Sequence, residues 1–145
     1  MTDLPRAGQG AYDLQRFVDA QSEAYERVCA ELRAGRKDSH WMWYVFPQIK
    51  GLGRSAMAER YAISSLQEAR SYLDHALLGK RLRECTRLVT AVRGRSIEDI
   101  FGHPDHLKFH SSMTLFAHAT DDQIFMEALR KYFRSEFDLR TIERM

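Results

Sequence analysis

Apolar residues at helical spacing run through every long segment of this chain, and that period leaves little room for a sheet. Leu14, Phe17, Val18, Gln21, Tyr25, Val28 and Leu32 share an arc of about 100°, the stripe of a helix with one face on a core. Leu78, Leu82, Cys85, Leu88, Val89 and Val92 repeat the pattern. The spacing predicts helices over Leu14 to Leu32, Ser65 to Leu73, Leu77 to Val92, Pro104 to Leu115 and Asp121 to Phe133, with a helical turn or two at SAMAERYAI and a short helix from Ile97 to Phe101. Boundary signals agree. Asp13 is placed to cap the first helix and Gly35 to end it. Ser65 with Glu68, and Thr120 with Gln123, match the capping-box pattern, Pro104 suits a first turn, and the chain is expected to bend near Gly79. The expectation is an all-α, single-domain bundle of about five to seven helices over residues 13–145 without substantial sheet. Residues 1–12, with Pro5, Gly8 and Gly10, are expected to form a loose leader.

Composition narrows the function classes. With 145 residues, 44% hydrophobic and 29% charged, the chain suits one globular core. A net charge of +2 gives no footprint for duplex DNA. The first residues lack the pattern of a secretory signal and no apolar run approaches the length of a membrane span, so a cytoplasmic protein away from the membrane is expected. Cys29 and Cys85 fall on apolar helix faces and read as small buried hydrophobes, with no disulfide expected.

The segment SHWMWYVFPQIKGLGRS, residues 39–55, breaks the helical rhythm, and Pro47 must interrupt any regular element there. Gly51 and Gly53 stand just before a helix start, where backbone N–H groups can converge on an anion with Arg54 and the Ser55 hydroxyl assisting. The plain alternative is a turn with Ser55 as N-cap. The third glycine of the dinucleotide fingerprint and the lysine of the P-loop are both missing. His40, Trp41, Trp43, Tyr44 and Phe46 supply an aromatic surface that either packs into the core or stacks a flat ligand. Farther along, Lys108 precedes an apolar run interrupted by Ser111, Ser112 and Thr114, polar residues suited to a cavity or to backbone bonds. His103, His106 and His110 share a helix face without a fourth ligand, so no metal is expected there. No nucleophile elbow is present. The carboxylates able to serve as acid or base are Glu68, Asp105 and Asp138.

The string HWMWYVFPQIKGLGRS, followed by EARSYL, LLGKRL and KFHSSMTLF, resembles a bacterial family of unknown function, domain of unknown function 1810, sometimes mislabelled calpastatin-like. The likeness covers the chain from Leu14 to the tail and implies a mostly helical single domain without an established activity. The family pattern falls on His40, Trp41, Trp43, Phe46, Pro47, Gln48, Gly51, Leu52, Gly53, Ser55, Glu68, Gly79, Arg81, Lys108, Ser111, Ser112 and Thr114, which the resemblance marks as the site. The layout is also distantly similar to helical proteins that process ADP-ribose, an analogy without a shared motif.

Two functional expectations follow. In the first, the chain binds or processes a phosphorylated, nucleotide-like ligand through His40, Trp41, Trp43, Gln48, Gly51, Gly53, Arg54, Ser55, Arg81, Lys108, Ser111 and Ser112. Any cleavage of an N-glycosidic bond would fall to Glu68 or Asp105. No cofactor is called for. In the second, the aromatic segment docks a partner protein without catalysis.

Overall fold

The computed structural model describes residues 12–145; the leader expected over 1–12 lies outside the described residues except for Tyr12. Nine helices make up the described chain: α1 (Gln15–Arg33), α2 (Met42–Val45), α3 (Ala56–Arg60), α4 (Leu66–Asp74), α5 (Ala76–Ala91), α6 (Ile97–Phe101), α7 (Asp105–Ala119), α8 (Ile124–Phe133) and α9 (Leu139–Arg144). No strand occurs among the described residues, and one isolated parallel bridge joins Ile49 to Ile63. The all-α, single-domain architecture is as the apolar period requires. The helix count exceeds five to seven because α2, inside the aromatic segment, and α9, in the tail, are too short to carry a readable period.

Helix α7 is the hub. Phe109, Ser111, Ser112, Met113, Thr114, Leu115 and Phe116 are all buried, a nearly continuous run that fits a helix covered on most sides. It packs on α4, α6, α8 and α9. Phe109 meets Phe133 and Phe116 meets Phe125, so α7 and α8 run antiparallel. Helices α1 and α5 run in the same direction: Tyr25 reaches Glu84, and farther along Gly35 lies against Val92.

The boundaries show which local signals hold. Gly35 takes φ +74 just past α1, the left-handed conformation in which a glycine ends a helix without strain. Asp13 does not cap α1: no side chain caps that helix, and the Asp13 carbonyl accepts from Arg16 instead. At α4 the Ser65 hydroxyl accepts from Glu68 N at 3.1 Å, while the Glu68 carboxylate accepts from Ser64 N rather than Ser65 N. The Thr120 and Gln123 box does not form; Asp122 accepts from Ile124 N at the head of α8. A full capping box occurs instead at Ser96 and Asp99.

The expected bend near Gly79 lies earlier, at His75, whose Nδ1 accepts from Leu77 N and Leu78 N. Gly79 itself sits inside α5, where a Cβ would collide with the Leu73 carbonyl oxygen. It allows close approach of α4 and α5 rather than a turn.

Candidate ligand-binding site

The aromatic segment is fixed from behind by one carboxylate. Glu31, near the end of α1 and 9% exposed, accepts from Asp38 N at 2.7 Å, Ser39 N at 2.9 Å, the Trp41 indole N–H at 2.9 Å and the Ser39 hydroxyl. Burial alone would push its carboxyl up, but the Ser39 hydroxyl and N–H, the Asp38 N–H and the Trp41 indole together hold it at about 2. Four donors on one ionised group make a strong anchor. They turn Trp41 fully inward, against Phe46 and Phe101. Trp41 and Phe46 are therefore core, and the neighbouring Trp43, half-buried, is left to face the surface.

Beyond buried Pro47 the chain closes on itself. Ile63 N donates to Gln48 O at 2.9 Å and Lys50 N donates to Ile63 O at 2.8 Å, so residues 50–62 form a compact loop with a hydrogen-bonded neck. Gly51, at φ +98, makes the first turn. The Arg144 guanidinium covers it where a Cβ would stand, and Arg140 donates to Leu52 O at 3.4 Å. Gly53 brings its backbone against Ala58; a Cβ there would lie 2.6 Å from that of Ala58. The Ser55 hydroxyl accepts from Ala58 N at 3.1 Å and is the cap of α3.

A cleft of about 240 Å³ opens between the neck and this loop, lined by Gln48, Ile49, Lys50, Gly51, Gly53 and Glu59 with Ala58 and Ala62 as its floor. A narrow hollow of about 10 Å³, the space of a single water, adjoins it under Trp43, Tyr61 and Lys108. Gln48 and Ala58 line both, so the two lie side by side with these residues between them. At one end Lys108 Nζ lies 5.1 Å from the Trp43 ring. Around the other end stand Lys50, Arg54, Arg140 and Arg144, none of which has a carboxylate within 4 Å among the described residues.

Gln48, Gly51 and Gly53 thus border the cleft, Trp43 and Lys108 border the hollow beside it, and exposed Arg54 and the capping Ser55 stand on the loop. The other predicted residues lie elsewhere. His40 is exposed at the start of the segment and Trp41 is buried. Arg81, on α5, lies over the Tyr25 ring at 4.9 Å. Ser111 donates to Asp138 at 2.8 Å, and the Ser112 hydroxyl is buried without a partner. Glu68, 3% exposed, is held by Ser64 N and Arg16. Asp105 pairs with Lys37 at 2.8 Å and with Lys108 at 3.4 Å.

The histidines do not converge. His103 and His106 lie 5.2 Å apart between ring centroids, whereas His110 stacks on Phe133 and its Nε2 is 2.8 Å from Glu136 O. Among the described residues no group of three or more His, Cys, Asp and Glu side chains is arranged to hold a metal. No helix there is long and apolar enough to cross a membrane.

Sequence reasoning missed Glu31, Lys50, Arg140 and Arg144. Glu31 had a signal: it continues the spacing of Ala24 and Val28 on the apolar side of α1, and a carboxylate on a core face needs donors. The two arginines had none, because their place depends on where α9 docks.

The family model described as a protein of unknown function, DUF1810, matches residues 11–145. The chain belongs to this family. Among solved structures, this DUF1810 chain is similar to the crystal structure of the conserved hypothetical protein Rv1873 from Mycobacterium tuberculosis, at 61% identity and a TM-score of 0.90, with 91% of this chain and 95% of that chain covered. No curated protein matches.

Proposed function

We propose that this protein binds a small phosphorylated, nucleotide-like ligand in the depression between Trp43 and Gly51. The observation that supports it is the pairing of a half-buried indole and Lys108 at one end with four cations lacking carboxylate partners among the described residues at the other, joined across Gln48 and Ala58. An anion can meet the Gly51 turn, where Arg140 and Arg144 add charge that the glycine pattern alone does not supply, and a flat ring reaches the Trp43 face by displacing Lys108, since the hollow there holds only one water. The reading is one of binding. Both Glu68 and Asp105 are already engaged by cations, which leaves neither free to act as an acid or base in this conformation.

Thermal shift with ADP-ribose, AMP and inorganic phosphate tests it. A ligand at about 100 times its Kd adds about 2.7 kcal/mol, roughly 5–10 °C in Tm for a domain of this size. The shift should shrink in Lys108→Ala and in the double variant Arg140→Ala, Arg144→Ala. No shift with any of the three ligands would overturn the reading.

The alternative, a protein-docking module, draws support from α9 rather than from the aromatic segment. That helix turns Leu139, 70% exposed, together with Ile142 and Met145, to solvent, an apolar strip of the kind partners cover.

A further inference from the structure

The cleft beside the loop carries a carboxylate that an anion site does not need. Glu59 lines it together with Lys50 and Gly51, yet neither Glu59 nor Lys50 has an oppositely charged partner within 4 Å among the described residues. Both are exposed, and both stand on fixed backbone. Lys50 N donates to Ile63 O at 2.8 Å in the neck, and Glu59 N donates to Ser55 O at 3.0 Å at the head of α3. One cleft therefore holds two opposite charges that do not neutralise each other. A first-turn carboxylate suits a helix dipole, but α3 has only five residues, so the dipole accounts for little of it.

For a plain anion, Glu59 is a hindrance. An inorganic phosphate drawn to Lys50, Arg140 and Arg144 is repelled by a carboxylate lining the same space. The hindrance becomes an attraction when the ligand carries hydroxyl groups beside its phosphate, because a carboxylate accepts strongly from O–H donors and offers two oxygens to a pair of them. Size points the same way. At about 240 Å³ the cleft falls below the ~300–1,000 Å³ of sites that enclose a whole drug-sized ligand, so it takes one sugar phosphate unit and leaves the rest of a larger molecule outside.

We propose that the unit read by this cleft is a ribosyl phosphate, with its phosphate on the side of Lys50 and Gly51 and its vicinal hydroxyls donating to Glu59. The inference rests on the ligand-binding reading above and adds the residue that decides specificity. Arg144, whose guanidinium covers Gly51, and Arg140, which donates to Leu52 O at 3.4 Å, bring charge to the phosphate end. Glu59 brings the discrimination. A sugar without one of the two hydroxyls leaves a carboxylate oxygen lacking its donor once the ligand shuts out water, and a site built to bond a hydroxyl rejects such an analogue far more strongly than an apolar pocket does.

The test is calorimetric titration of the full chain with ribose 5-phosphate, 2-deoxyribose 5-phosphate and inorganic phosphate, in wild type and in Glu59→Gln. Wild type should bind ribose 5-phosphate about tenfold more tightly than its 2-deoxy analogue. In Glu59→Gln that preference should fall below about threefold, while inorganic phosphate binds about threefold more tightly than it does to wild type, because the repelling charge is gone. The opposite signs separate recognition from damage: a substitution that merely disturbed the loop would weaken all three ligands. Equal affinity of wild type for the two sugars, or a preference that survives in Glu59→Gln, would overturn the inference and leave the anion site standing. Binding of AMP or ADP-ribose without binding of either sugar phosphate would do the same. No binding of any of these phosphates, AMP and ADP-ribose included, would remove the ligand-binding reading and the inference with it.

Discussion

Replacing Glu31 by Gln removes one charge and keeps the side chain's shape, which makes it a clean probe of what positions the aromatic segment. The carboxyl is held at about 2 against an ordinary 4.5, and each tenfold gain in acidity corresponds to about 1.4 kcal/mol. The ionised group therefore contributes up to about 3 kcal/mol at neutral pH. Gln retains one acceptor oxygen for the four donors, so the expected loss is about 2–3 kcal/mol, or roughly 5–10 °C in Tm. Because the folded value is depressed, the contribution is complete above the unfolded value near 4.5 and is lost as pH falls through about 2. At pH ~3 about half should remain. Urea unfolding of wild type and Glu31→Gln at a series of pH values between ~3 and 7, followed by Trp fluorescence, reads the difference directly. Other carboxylates titrate in both proteins and cancel. A gap below about 1 kcal/mol at pH 7, or one that stays constant on acidification, would refute the argument that this carboxylate anchors residues 38–41 as an anion.

Three further outcomes follow from the packing. Gly79→Ala should lower stability by about 1–2 kcal/mol in chemical denaturation, because the collision with the Leu73 carbonyl outweighs the gain in helix propensity; a stabilised variant would mean α4 and α5 separate at little cost. Asp138→Ala removes the acceptor of the Ser111 and Thr141 hydroxyls and should release α9, seen as faster amide exchange at residues 139–144 with the core still protected. The same variant should weaken anion binding, since Arg140 and Arg144 leave with the helix. Ser112→Ala deletes a buried hydroxyl without a partner, so stability should be unchanged or rise by up to about 1 kcal/mol; a clear loss would reveal a partner for that oxygen.

Long helices were legible because their burial follows one period. In α1, Phe17, Gln21, Ala24, Val28 and Leu32 are buried at the expected spacing, and the α5 stripe behaves likewise. Helix α7 was found although its burial runs almost all round, since Pro104 and the density of apolar residues mark it. The tail was not legible, and α9 shows why. This helix is held by polar pins: Asp138 N donates to Thr114 Oγ1 at 2.9 Å, and Asp138 accepts from Ser111 and Thr141. Its apolar residues point to water, so the usual rule for finding a buried face fails. Polar interruptions in α7 were visible as an anomaly; these pins resolve Ser111 and Thr114, whereas the Ser112 hydroxyl has no partner. The aromatic block divides by a single contact that spacing cannot disclose, the Trp41 indole on Glu31.

The neck between Ile49 and Ile63 has an implication for how such a chain can diversify. With the ends of residues 50–62 already brought together by backbone bonds that involve no side chain, the exposed stretch from Arg54 to Ala56 can lengthen without disturbing Tyr61, which packs on Phe17 and Tyr44, or Arg16, which donates to the Arg60 and Ala62 carbonyls. Closing a loop twice as long costs only about 0.6 kcal/mol more, a small fraction of the stability of a domain this size. Insertions at the tip, between Gly53 and Ser55, should therefore be absorbed with little change in the core, while every inserted residue alters the wall of the cleft. The loop is thus the part of the molecule where new recognition can be grafted by length alone, leaving the helices around it as a constant frame.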